Sequence, residues 1–176
     1  NDFYSISIDP ADGSVSSLVE KATGRQLVDA AAGYRFNRMA NNVKNDVNAS
    51  NNPFEQPVAS ATVSIEANGS QMVGLKVART GTPHKETLYR LYRGENRVEI
   101  VNTFDKGNTP YVPNSVSWRA YFVTLPFDVA DFELRTETTT RFLDARRDGF
   151  PRDNTFDWHN TEHSIHFWDS GGGISY

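Results

Sequence analysis

Lys85–Phe104 reads KETLYRLYRGENRVEIVNTF, and the alternation inside this stretch sets the fold class. In the arm Arg97–Phe104, Val98, Ile100 and Phe104 fall on one face and Arg97, Glu99 and Thr103 on the other. A period of two is the signature of a strand that packs on one side. The arm before it, Leu88–Arg93, is rich in Leu and Tyr and meets the second across Gly94-Glu95-Asn96. Gly and Asn tolerate the positive φ that a tight hairpin turn demands, so the stretch predicts an antiparallel hairpin.

The same pattern recurs on both sides. Phe3–Ile8 alternates, Asp9-Pro10-Ala11-Asp12-Gly13 is built as a turn, and Val15–Glu20 reads as the return strand. Leu27–Ala32 is expected to hold a short helical turn and Tyr34–Met39 a strand. Val58–Ala67 and Met72–Arg79 form a second hairpin pattern around Asn68-Gly69-Ser70, with Val63, Ile65, Val73, Leu75 and Val77 as apolar positions. Val116–Phe127 is the most apolar strand and reads as apolar on both faces from Tyr121 onward, which predicts burial between two layers up to Pro126. Phe132–Glu137, Thr140–Ala145 and Ser164–Trp168 complete the strands, and the chain closes inside another strand pattern at Gly173–Tyr176. Strands at intervals of about 8–12 residues broken by Gly, Pro and Asn predict an all-β fold of antiparallel sheets, a two-sheet sandwich over residues 1–176. Because the chain opens and closes in strand patterns, it is expected to be part of something longer. Asn41–Pro57 differs in kind. It is Asn-rich, carries two prolines and lacks periodicity, so it is expected to be a long loop.

Composition narrows the function classes. The net charge is −4 with both signs mixed along the chain, so no basic block tracks a nucleic-acid backbone. No apolar run reaches the roughly 18–20 residues of a membrane span, and no signal peptide is expected at Asn1. The absence of cysteine removes disulfides and thiolate metal sites and leaves the compartment open, cytosolic or exported; a bacterial protein of either kind fits.

Several constellations could carry chemistry. His159, His163 and His166, with Glu162 beside them, have helical metal-ligand spacing, but Ser164–Trp168 reads as a strand, which sends His163 and His166 to opposite faces. His84, His159, His163 and His166, with Glu162 or Glu99 as base, are the candidates for proton transfer at a sugar. Asp144, Asp148, Asp153 and Asp157 alternate with Arg141, Arg146, Arg147 and Arg152, the pattern of a solvated loop rather than of a glycosidase carboxylate pair. Trp118, Trp158, Trp168, Tyr111 and Phe156 are the rings that could stack on a sugar. Trp118 reads as core, whereas Trp158 lies in a polar run, so Trp158, His159 and Asn160 are the expected carbohydrate contacts.

The order of these segments resembles a known family. NDFYSISIDPADGSVSSLVEKATGRQLVD (Asn1–Asp29), YRLYRGENRVEIVNTFDK (Tyr89–Lys106), RAYFVTLPFDV (Arg119–Val129) and WHNTEHSIHFWD (Trp158–Asp169) are similar to the C-terminal β-domain of family 38 glycoside hydrolases, the α-mannosidases. The resemblance spans most of the chain. It implies a two-sheet supersandwich of the galactose mutarotase-like kind, incomplete here, whose partner is a separate catalytic domain. That family's zinc ligands and catalytic aspartate sit in an N-terminal α/β domain without a counterpart in these residues. No catalytic residue, metal or cofactor is therefore expected in this chain, which would support the catalytic domain and contact carbohydrate. The alternatives are a stand-alone carbohydrate-binding module using Trp158 and the Asn41–Pro57 loop, and an enzyme of mutarotase or polysaccharide-lyase type.

Overall fold

The computed structural model describes residues 1–44, 55–105, 107, 118–129, 132–137, 142–144, 164–169 and 172–175. Every described element is a β-strand, every pairing is antiparallel, and the strands lie in separate sheets rather than a closed barrel. The chain divides into two compact units, Asn1–Phe127 and Asp128–Tyr176.

The first unit is organised on a four-stranded meander of β5 (Ser60–Asn68), β6 (Met72–Thr80), β7 (His84–Tyr92) and β8 (Glu99–Phe104). The predicted hairpin is its last pair, with Tyr89 opposite Ile100 and Gly94 at φ 73° in the turn. The two faces of this sheet are chemically distinct. Outward, Arg90 donates to Glu66 at 2.9 Å and to Glu99 at 3.2 Å, Tyr92 donates to Glu99 at 3.1 Å, and Lys76 pairs with Glu86. Such partly exposed pairs add little stability each, but they mark this side as the solvated one. Inward, Val77, Tyr89 and Leu91 are buried.

A second layer covers the inner face. It contains β1 (Tyr4–Ile8), β2 (Val15–Glu20) and β3 (Arg25–Gln26) in one sheet, and β4 (Arg38–Lys44) paired with β9 (Trp118–Thr124) in another. Two bridges join these sheets, Val15 to Phe36 and Val28 to Phe127. Val15, Leu18, Leu27, Val28, Phe36 and Met39 supply its buried apolar groups, and the Phe36 and Phe127 rings meet edge to face at 5.0 Å. Burying branched and aromatic groups from both layers is the main driving force for such a sandwich. Between β1 and the inner face of β5–β7 an open cleft of about 350 Å³ remains, lined by Tyr4, Ile6, Val73 and Leu75 among others, with Ile65 70% exposed at its edge.

Four expectations change here. Leu27–Ala32 holds no helix; Val28 forms a strand bridge, and the Asp29 carboxylate accepts from the Ala31 N–H at 2.8 Å to make a turn. The strand expected at Tyr34–Met39 begins only at Arg38, because Asn37 sits at φ 54° and breaks the extended run. That strand then runs through Asn41–Lys44, the first residues of the expected loop, since pairing with β9 outweighs the weak strand preference of Asn. The remainder of that loop, residues 45–54, lies outside the described residues. Tyr121–Phe127, expected to be buried between layers, is half-buried.

The second unit is a four-stranded sheet in the order β11 (Phe142–Asp144), β10 (Glu133–Glu137), β12 (Ile165–Asp169) and β13 (Gly172–Ser175). Register places Leu134, Phe167 and Ile174 in one row, and Phe132 meets the Phe167 ring at 5.5 Å. That is the apolar face of the sheet.

Candidate functional site

Alternation sends Ser164, His166 and Trp168 of the β12 segment to the other face, and register aligns them with neighbours on both sides. Glu133, Trp168 and Gly173 form one row; Arg135, His166 and Ser175 form the next. The Trp168 indole reaches across Gly173, where a Cβ would lie 2.7 Å from Nε1, so only glycine leaves room for it. The ring is stacked with His166 at 5.3 Å and an interplanar angle of 13°, and the Arg135 guanidinium lies 5.2 Å from its centroid. Arg135 also donates to Glu133 at 3.3 Å. Trp168 nevertheless stays 39% exposed, an aromatic surface ringed by donors and acceptors. Rings of this kind present an apolar face to sugar C–H groups while the polar rim bonds hydroxyls.

Beside the indole runs a chain of hydrogen bonds. Ser175 Oγ lies 2.7 Å from His166 Nδ1, His166 Nε2 lies 2.8 Å from Ser164 Oγ, and Ser164 Oγ donates to Glu137 at 2.8 Å. Since Glu137 can only accept, Ser164 receives the Nε2 proton and the Nδ1 lone pair receives the proton of Ser175. The carboxylate thus polarises the chain toward an exposed hydroxyl.

A second polar cluster lies inside the first unit. Arg79 donates to Thr87 at 2.7 Å, to the Asp12 carbonyl at 3.2 Å and to the Gly13 carbonyl. Thr87 donates to Asn102 at 2.8 Å, Asn102 to Asn37 at 2.8 Å, Asn37 to Tyr89 at 2.8 Å, and Tyr89 to the Gly13 carbonyl at 3.3 Å. Arg38 holds the Asp12 carboxylate at 2.6 Å at the rim. His84 completes the cluster through Nε2, 2.9 Å from Asn102, and its ring stacks on Phe104 at 4.6 Å. Among the described residues His84 Nδ1 has no hydrogen-bond partner, which fixes it as the bare lone pair, since a buried unpaired N–H costs more. Burial, then the nearby Arg79, lower the His84 pKa to about 4. Burial likewise lowers the pKa of Arg79 and raises that of Tyr89. This cluster stitches the two layers together and is closed to substrate.

The cluster makes stability depend on pH. The His84 pKa falls from 6.5 unfolded to about 4 folded, so between those values the unfolded chain binds a proton that the folded chain refuses. Stability is therefore full above pH 6.5 and declines as pH falls toward 4, by roughly 2–3 kcal/mol. His84→Gln, which keeps an amide donor, is expected to flatten that decline. Urea midpoints measured at neutral and mildly acidic pH check it, and an unchanged slope in the variant would count against it.

Of the sequence candidates, Trp158, His159, Asn160, Glu162, His163, Tyr111 and Phe156 lie outside the described residues, as does nearly all of the Asp/Arg stretch. Trp168 and His166 are brought together. His84 and Glu99 are separated, because His84 is interior whereas Glu99 lies on the solvated face with Arg90 and Tyr92. No group of three or more His, Asp or Glu residues arranged to hold a metal occurs among the described residues. Sequence reasoning missed Arg135, Glu137, Ser164 and Ser175, which meet only through the β10–β12–β13 register. The chain matches no family model, no curated protein and no solved structure.

Proposed function

We propose that this chain is a β-sandwich region of a family 38-like glycoside hydrolase, non-catalytic toward glycosides and built on the galactose mutarotase-like supersandwich plan. It supports a separate zinc-dependent catalytic domain and contacts carbohydrate through the Trp168 face. The observation that carries the carbohydrate contact is Trp168 itself, exposed, laid across Gly173, and ringed by His166, Arg135 and Glu133. The family reading draws its support from the ordered segments Asn1–Asp29, Tyr89–Lys106 and Arg119–Val129. The inward-facing titratable groups of the first unit serve its packing, which suits a supporting role.

The same face also serves a stand-alone carbohydrate-binding module, and a glycan array of the isolated chain separates the two readings. Retention of mannosides, lost in Trp168→Ala, is the expected result. Binding restricted to plant polysaccharides would favour the module instead, and an array without signal would remove the carbohydrate contact altogether. Because a Cβ at position 173 collides with the indole, Gly173→Ala should also weaken binding, by displacing the ring without removing it.

A further inference from the structure

We propose that Ser175 is a base-activated nucleophile that reacts with short-chain carboxylic esters, an activity beyond the supporting role above and independent of it. The geometry is that of a hydroxyl, a base and an orienting group in sequence. Ser175 Oγ is 2.7 Å from His166 Nδ1, and His166 is tied through Ser164, at 2.8 Å and again 2.8 Å, to the Glu137 carboxylate. Nucleophilic serines are recognised by this pattern of roles, whatever their order in the chain. Ser175 is exposed, whereas Ser164 and Glu137 are half-buried, so the reactive end of the chain faces solvent and the charged end is held by protein. Gly172 and Gly173 precede Ser175 without side chains, and the Trp168 indole lies across Gly173 as an apolar wall for an acyl group. Among the described residues β13 is the edge strand of its sheet, so alternate N–H groups point away from β12 and can donate to a developing oxyanion.

In the reaction, Ser175 Oγ bonds to the ester carbonyl carbon while its proton passes to His166 Nδ1. Glu137, acting through Ser164, stabilises the resulting imidazolium. The tetrahedral intermediate collapses by breaking the carbon–oxygen bond to the alkoxy group, which takes the proton from Nδ1 and leaves as an alcohol. Water then attacks the acyl-serine along the same proton path, releasing the carboxylic acid and restoring Ser175.

The test is labelling of the full chain by a fluorophosphonate, followed by intact mass and peptide mapping, together with turnover of p-nitrophenyl acetate. One adduct at Ser175 is expected, absent in Ser175→Ala and absent after denaturation. General-base assistance is worth at least about 10²-fold, so labelling should slow by that factor in His166→Gln. A smaller slowing is expected in Ser164→Ala, which cuts the link to Glu137 without touching the base and guards against misfolding of the histidine variant. An unlabelled chain, an adduct at another residue, or an equal rate in both variants with circular dichroism unchanged would overturn the proposal. None of these outcomes depends on sugar binding, so the carbohydrate reading stands or falls separately.

Discussion

Arg79→Ala is expected to lower the stability of the Asn1–Phe127 unit by about 3 kcal/mol, within the range seen when one partner of a buried charged network is removed. Arg79 is 3% exposed, projects from β6 into the space between the layers, and reaches the Asp12 and Gly13 carbonyls as well as Thr87. Truncation would take a donor from the buried Thr87 hydroxyl, from the buried Gly13 carbonyl, which keeps only Tyr89, and from the half-buried Asp12 carbonyl, and would leave a cavity where the guanidinium lay. Each unpaired group costs about 1–3 kcal/mol, while relief from burying a cation with no carboxylate in direct contact offsets part of the total. Arg79→Lys keeps the charge but not the planar fork that serves several acceptors, so an intermediate loss is expected. Urea denaturation reports both, as a lower midpoint with little change in slope.

Gly13→Ala is expected to be at least as damaging, at about 4 kcal/mol from backbone strain and overpacking together. Gly13 adopts φ 73°, and a Cβ there would lie 2.3 Å from Cγ1 of Val77, a side chain without any exposed surface. Its carbonyl also receives Arg79 and Tyr89, so a shift that relieved the clash would loosen those bonds as well. Gly24 separates the two causes. It has the same φ of 73°, but a Cβ there would meet no heavy atom of the described residues within 4 Å, so Gly24→Ala should show backbone strain alone, about 1 kcal/mol. Similar losses in both variants would mean that the close approach of the turn to β6 contributes nothing.

The strands that alternate locally were legible in the sequence, and those held by distant partners were not. Lys85–Phe104 combines a period of two with a Gly-containing turn, so both arms and the turn could be read from adjacent residues. β4 carries Asn41 and Asn42 and is held by β9, about 80 residues away, a pairing that leaves no local trace. Arg79 and Asn102 read as ordinary polar strand residues and His84 as a proton-transfer candidate, yet all three face inward: Arg79 and Asn102 keep the alternation of Val77 and Ile100 on their strands, and a β-bulge between His84 and Glu86 turns His84 the same way. Asn37, at φ 54° and buried, bonds both Tyr89 and Asn102; its type permits that conformation but does not announce it. At the candidate site, Trp168 and His166 stood out by residue type. Ser164, Ser175, Arg135 and Glu137 did not, since their roles come from cross-strand neighbours that no sequence spacing encodes.

Carbohydrate contact on the Trp168 face can be put to the question by titrating the isolated chain with a manno-oligosaccharide while observing the tryptophan indole N–H signals by NMR. A saturable shift of the Trp168 signal is expected, with smaller shifts at His166 and at least a tenfold weaker affinity in Trp168→Ala, as befits loss of an aromatic anchor. A saturable titration that leaves Trp168 unmoved, or no binding at any concentration reached, would refute the contact.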